Sequence, residues 1–197
     1  MKTKVSILLV LILFISTTAF TQDQVREKKF GFEINGGLSI ALSEPTNTHF
    51  LPGFGFEGIF HYSFNKNFGV YAGWGYNDFF ADLSFLGNDK DFEETGYIVG
   101  IQYMHPMEST NIKPFLRTGI LYNHIEIEDN SGTIIKDSGH GVGFQIATGI
   151  DIPIRSNWHL IPGIKFNSLS RDITIESAKQ PVDYQYIQLR FGIMKKF

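Results

Sequence analysis

Six ionisable residues stand where a chain of period two would turn them to one face: Glu33, Glu57 and Asp151, and against them Arg117, Lys165 and Arg190. Three acids matched by three bases suit mutual neutralisation, and charges withdrawn from water need such partners. The chemistry they point to is an enclosed ion-pair and hydrogen-bond network. A second set is His124, Glu126, Ser168 and Ser170. A serine beside a histidine base and an orienting carboxylate is the equipment of acyl transfer, but no motif ties these four together. The six histidines show no metal-ligand spacing, and "DNSG" at 129–132 lacks the further ligands of a calcium loop. No metal and no cofactor are expected. His61 joins the face that carries the six charges.

The elements that must position these side chains are strands. No long stretch keeps a helical period, while period-two alternation recurs in eight segments: 30–42, 52–64, 68–80, 93–105, 113–126, 139–152, 158–170 and 184–197. Each exceeds the usual strand of about 5–6 residues and suits a tilted membrane crossing of about 9–11 residues with some overhang. Short connections (65–67, "PMESTNI", "PIRSN") alternate with longer ones ("SEPTNTHFL", "ADLSFLGNDKDF", "IEDNSGTIIKDS", "DITIESAKQPVD"). Within the longer ones, "HIEIEDNSGTIIKD" and "RDITIES" alternate again and read as hairpins continuing outward, with edges open to a partner strand. Leu83, Phe85 and Leu86 point either to lipid headgroups or to packing over the barrel mouth. Pro162 falls inside a segment and removes a ladder donor, so a bulge is expected there.

The start of the chain bears on compartment. Lys2 and Lys4, the run "VSILLVLILFI" and the small residues of "TTAFTQ" read as a secretory signal peptide over 1–21. A short lead follows at 22–29, then one domain at 30–197. There is no cysteine. Without residues 1–21, fifteen basic residues face twenty acidic ones, a formal charge of −5 that argues against nucleic acid. Beyond the signal peptide no apolar run approaches the ~18 residues of a membrane helix, so any crossing uses strands.

The two faces of the strands differ in a way that fixes their direction. One collects Phe32, Ile34, Leu38, Phe54, Phe56, Phe60, Trp74, Tyr97, Val99, Ile101, Ile120, Phe144, Ile164, Leu189 and Phe191; the other collects glycine, amides and the ionisable six. The apolar face is too bulky to fill a small barrel, so it is assigned to lipid and the other face to the lumen. Phe32, Tyr62, Phe64, Tyr103, Trp158 and Phe197 then gather at the short-turn rim. Phe54, Phe56, Tyr76, Tyr97 and Tyr122 gather at the opposite rim, giving two aromatic belts.

With the signal peptide, this strand pattern, "PFLRTGILY", "GFQIATGIDIPI" and the terminal "LRFGIMKKF", the sequence resembles the small outer-membrane β-barrels of Gram-negative bacteria. The resemblance is to the eight-stranded OmpA-transmembrane and OmpX-like group and to PorT-like outer-membrane β-barrel domain proteins. It implies an all-β, eight-stranded antiparallel up-and-down transmembrane barrel in the cell outer membrane. It also implies that the barrel-assembly machinery reads Phe197 as a C-terminal signal. The expected protein is a monomer surrounded by outer-membrane lipid, non-enzymatic, with a structural or surface-interaction role and a possible protein partner at its extracellular loops. The alternatives are a lipid-modifying deacylase or acyltransferase using His124, Glu126, Ser168 and Ser170, and a narrow channel.

Overall fold

The computed structural model describes residues 28–45, 47–107, 110–175 and 178–197. The expected signal peptide and all but the last two residues of the expected lead lie outside them. Eight long strands carry the fold: β1 Phe30–Ser43, β2 Gly53–Ser63, β3 Phe68–Ser84, β4 Gly87–Met104, β5 Lys113–Glu128, β6 Gly141–Arg155, β7 Trp158–Ile175 and β8 Ala178–Lys196. Two short strands, His49–Phe50 and Ile134–Asp137, sit in the connections after β1 and β5. Among the described residues there is no helix.

Each long strand pairs antiparallel with its neighbours in chain order, and β1 pairs with β8, so the sheet closes into a barrel with no free edge around it. Its stagger follows from the registers. From Gly31 the opposed residues run His61, Tyr71, Gly100, Gly119, Gln145, Asn167, Tyr186 and back to Ala41, ten residues further along β1. That displacement tilts the strands and leaves an interior just wide enough for side chains. Two glycines on this hoop seat one ring: a Cβ at Gly100 would lie 2.6 Å from Cζ of Tyr71, and one at Gly119 would lie 2.6 Å from its hydroxyl.

The alternation places Ile34, Leu38, Phe60, Val99, Ile101, Ile120, Phe144, Leu189 and Phe191 on the outer surface. Ile120 stays 58% exposed while Glu33 is 0% exposed. Rings pair at both rims of this apolar band. Phe30–Tyr62, Tyr62–Phe64 and Phe68–Tyr103 stand 5.1–5.4 Å apart at the short-turn end, and Phe56 contacts Trp74 and Tyr76 toward the other. Phe197 closes the seam: its N–H donates to the Phe30 carbonyl at 2.9 Å and its carbonyl accepts from Phe30 N–H at 3.2 Å.

Two expectations change. The connection "ADLSFLGNDKDF" is mostly ladder, since β3 and β4 stay paired up to Ser84 opposite Gly87. Only Phe85 and Leu86 form the turn, held by Ser84 Oγ, which donates to the Gly87 carbonyl at 2.7 Å and accepts from Leu86 N–H at 3.2 Å. At the β7–β8 hairpin β8 resumes at Ala178 opposite Ile175, so "RDITI" continues outward as a paired hairpin, as its alternation indicated. The two ends thus differ in how far strands run past the apolar band, more than in loop length. Finally, Pro162 makes no bulge. The β6–β7 register is the same at Gly149↔Gly163 and Ile152↔Leu160, and Pro162 faces Phe191 on β8 without a shift. Two long ladders simply skip the missing donor. The β6–β7 irregularity lies at Pro153/Arg155 instead.

Candidate functional site

Because every strand contributes alternate side chains inward, the lumen is a stack of layers whose chemistry changes with height. At the short-turn end, Asp151 contacts His159 and accepts a hydrogen bond from Lys196 Nζ at 2.6 Å. Met104, Phe115, Ile161 and Met194 pack together as a small apolar cluster.

At mid-height lies the ionic centre. Glu33 accepts from Arg117 at 2.7 and 3.2 Å, from Arg190 Nη2 at 2.7 Å and from Asn35 Nδ2 at 3.1 Å, with His61 Nε2 at 3.1 Å. Glu57 accepts from Lys165 Nζ at 2.5 Å, Arg190 Nη1 at 3.0 Å and Gln145 Nε2 at 3.0 Å. Arg190 therefore bridges the two carboxylates. Arg117 Nε donates to Gln102 at 2.7 Å, and its guanidinium lies 4.3 Å from the Phe115 ring centroid. Such charge-assisted, forked contacts offset part of the cost of burying five ionic groups.

Above them comes a layer of amides, hydroxyls and tyrosines. Ser39 Oγ donates to Asn77 at 2.5 Å, Gln188 Nε2 donates to Ser39 at 3.1 Å, Asn167 Nδ2 donates to Tyr186 Oη at 2.6 Å, and Asn123 Nδ2 donates to Glu94 at 2.5 Å. The cavity among Glu57, Asn77, Glu94, Lys165 and Tyr186 is about 10 Å³, room for a single water.

The long-hairpin end is closed by an apolar core. Phe79, Ala81, Phe92, Ile98, Leu121, Ile125, Ile127, Leu169, Ile173, Val182 and Tyr184 point inward and are buried, and the cluster reaches down to Ile59 opposite Glu33. Phe50, from the short strand after β1, packs edge-on against Phe92 at 4.9 Å and Tyr184 at 5.6 Å, plugging the mouth. Phe85 and Leu86 pack on the same core, so of the two roles open to them the structure shows packing over the mouth.

Of the six charges named from sequence, the structure brings five together: Glu33, Glu57, Arg117, Lys165 and Arg190. Asp151 stands apart in its own group with His159 and Lys196. The centre is therefore two acids with three bases. Sequence reasoning missed Arg171, which donates to the carbonyls of Asn123, Gly141, Val142 and Ser170, covering backbone groups freed where β6 begins. It also missed Phe50 and the apolar core; the signal was present in the isoleucines of "HIEIE", which face inward.

The histidine and serines of the acyl-transfer set are not joined. His124 Nδ1 lies 3.1 Å from Asp137 Oδ1 and 3.8 Å from Glu126 Oε1, while Ser170 Oγ donates to Asp183 at 2.7 Å. No hydrogen bond links His124 to Ser168 or Ser170 among the described residues. Asp137 lies beyond the apolar band, where burial pushes its pKa up. The Gly139 N–H, His124 and the charge of His140 outweigh that and hold it below the ordinary carboxylate value.

The outer surface of the extension is acidic. Over 78–93 and 124–138 nine acidic residues accompany two lysines. Asp78 faces Glu93, Glu93 faces Glu126 and Glu126 faces Asp137, a row of like charges across four strands.

A family model described as outer membrane protein beta-barrel domain matches residues 7–194. Among solved structures, neisserial surface protein A is similar at 15% identity over 85% of this chain and 97% of that one, with a TM-score of 0.63. Outer membrane protein AlkL in lipid bilayers follows at 12% identity over 90% and 95%, TM-score 0.58. Outer membrane protein W of E. coli matches at 14% identity over 87% and 100%, TM-score 0.53. At these identities the likeness is one of fold. None of the curated proteins matches the chain.

Proposed function

We propose, for a chain that belongs to the outer membrane protein β-barrel domain family, that this outer-membrane barrel is a closed, non-enzymatic monomer whose work is done by its long hairpins at the cell surface. The observation that carries this reading is the occupied lumen: ion pairs at mid-height, an amide layer above them and the Phe50-plugged core at the mouth. A continuous water path would need some of these side chains to leave, at the cost of unpaired charge or exposed apolar surface. The lipid-modifying alternative lacks support, because His124 and Ser170 are each engaged elsewhere.

The short strand Ile134–Asp137 pairs with β5 alone among the described residues, and Ile134 and Ile135 are exposed. Its outer edge is thus open to strand addition by a protein partner. The long-hairpin end is taken to face the exterior, with Phe197 at the periplasmic rim serving as the signal for the assembly machinery.

Planar-bilayer recording tests closure: the folded protein should give no discrete conductance, and regular steps would overturn it. Lipid turnover should be unchanged in the triple variant His124→Ala, Ser168→Ala, Ser170→Ala; its abolition would establish the enzyme. Surface proteolysis of intact cells should cut near 129–133 and spare 65–67; the reverse would invert the orientation.

A further inference from the structure

We propose that His124, Glu126 and Asp137 form a binding site for a divalent transition metal of the zinc type on the outer surface of the extension. Residues 124 and 126 are two apart on β5 and so share a face. The hairpin then brings Asp137 directly opposite Glu126. One donor atom from each of His124, Glu126 and Asp137 lies within 4.8 Å of the other two, with His124 Nδ1 at 3.1 Å from Asp137 Oδ1 and 3.8 Å from Glu126 Oε1. Ligand atoms at about 2.0–2.2 Å from a tetrahedral zinc stand roughly 3.3–3.6 Å apart, so a small turn of the exposed Asp137 side chain or the half-buried Glu126 side chain completes the geometry.

Two further observations support a ligand here. His140 stacks face to face on His124, centroids 4.3 Å apart at 17°, and also packs on Tyr122, which fixes the plane of the ligating ring. In addition, Glu126 is the middle of a run of acids, with Glu93 opposite it and Glu128 beside it forming a second carboxylate group around the same side chain. Like charges set directly opposite destabilise a strand pair, and a bound dication reverses that sign. The imidazole decides the class: with a nitrogen donor the set suits zinc, nickel or copper over calcium or magnesium, which prefer oxygen. Because the ligands sit on β5 and on the short strand after it, the metal would clamp that hairpin to the barrel.

The test is calorimetric titration of Zn²⁺ into the folded, untagged full-length protein in detergent. One saturable site is expected. His124→Ala and Asp137→Asn should each weaken it by at least the ~10–100-fold that even outer-shell changes cost a metal site. His49→Ala, which alters the separate His49–Asp82 pair, should leave binding unchanged. Zn²⁺ should also slow protease cleavage at 129–133 in the wild type and not in Asp137→Asn. Absence of saturable binding, equal binding by both ligand variants, or Ca²⁺ binding as tight as Zn²⁺ would each overturn the assignment. Heat-modifiable gel migration verifies that every variant is folded before titration.

Discussion

β5 has two halves with opposite chemistry on the same two faces. From Leu116 to Tyr122 the outward, even-numbered side chains are Leu116, Thr118, Ile120 and Tyr122, uncharged and mostly apolar, while inward-facing Arg117 is buried in the ionic centre. From His124 to Glu128 the even-numbered side chains still point out, but they are His124, Glu126 and Glu128, and the inward ones are Ile125 and Ile127. The backbone keeps its alternation; only the solvent changes. Below the switch the surroundings are hydrocarbon and polarity is enclosed. Above it the surroundings are water, and the strands bury an apolar core as a soluble sheet does. β4 repeats this, with Val99 and Ile101 outward in the band and Phe92 inward above it. One closed sheet is thus a membrane protein over its lower part and a water-soluble barrel over its upper part.

The sharpest way to break the lower half is at its centre. Glu33→Leu leaves Arg117 and Arg190 buried without their shared carboxylate and should cost about 3–5 kcal/mol in urea unfolding from detergent. Next comes the outer face. Ile120→Arg places a charge in the apolar band and should cost about 2–4 kcal/mol in bilayers, whereas Glu128→Lys, eight residues on and also outward, should stay within about 0.5 kcal/mol. Equal penalties would remove the boundary between the halves. A smaller effect, about 1–3 kcal/mol, is expected for Gly100→Ala, because the added Cβ would meet the Thr118 carbonyl oxygen and, 2.6 Å away, Cζ of Tyr71.

The smallest effect concerns pH and belongs to the upper half alone. Partial burial, then the charges of Asp91, Glu93 and Glu128, raise the pKa of Asp78 to about 6. Burial and neighbouring acids also raise Glu128. A carboxyl with a folded pKa above its unfolded one binds its proton more tightly in the fold. The stability it contributes is therefore present at low pH and lost as pH rises from about 4 through about 6. Amide exchange in 78–93, corrected for its intrinsic rate, should show greater protection at pH 5 than at pH 8, and Asp78→Asn should flatten the difference.

The strands, their closure and the direction of their apolar face were legible in the sequence because burial by lipid demands alternation over many residues, as in Val99-Gly100-Ile101-Gln102-Tyr103. Five of the six lumen charges were legible for the same reason: a lone Glu33 between Phe32 and Ile34, or Arg190 between Leu189 and Phe191, has nowhere else to go. Asp151 was assigned to the right face but grouped with partners it does not meet, since parity tells which side a residue is on and only the stagger between strands tells how far along. The outward hairpins of "HIEIEDNSGTIIKD" and "RDITIES" were legible from their alternation, whereas "ADLSFLGNDKDF" was read as a loop because apolar residues such as Ala81 and Phe92 turn inward there and so do not continue the lipid-facing pattern. His124, Glu126 and Asp137 carry no linear ligand motif because the third donor arrives only when the hairpin folds back.

The position of the switch along β5 can be measured directly, since the chain has no cysteine to remove. Spin labels placed one at a time at 116–128 in bilayers report their access to oxygen, which partitions into lipid, and to a water-soluble nickel chelate. Labels at 116–122 should favour oxygen at even positions, labels at 124, 126 and 128 should favour the chelate, and 125 and 127 should be shielded from both. Oxygen access persisting at even positions through 128, or chelate access at 125 and 127, would contradict the account.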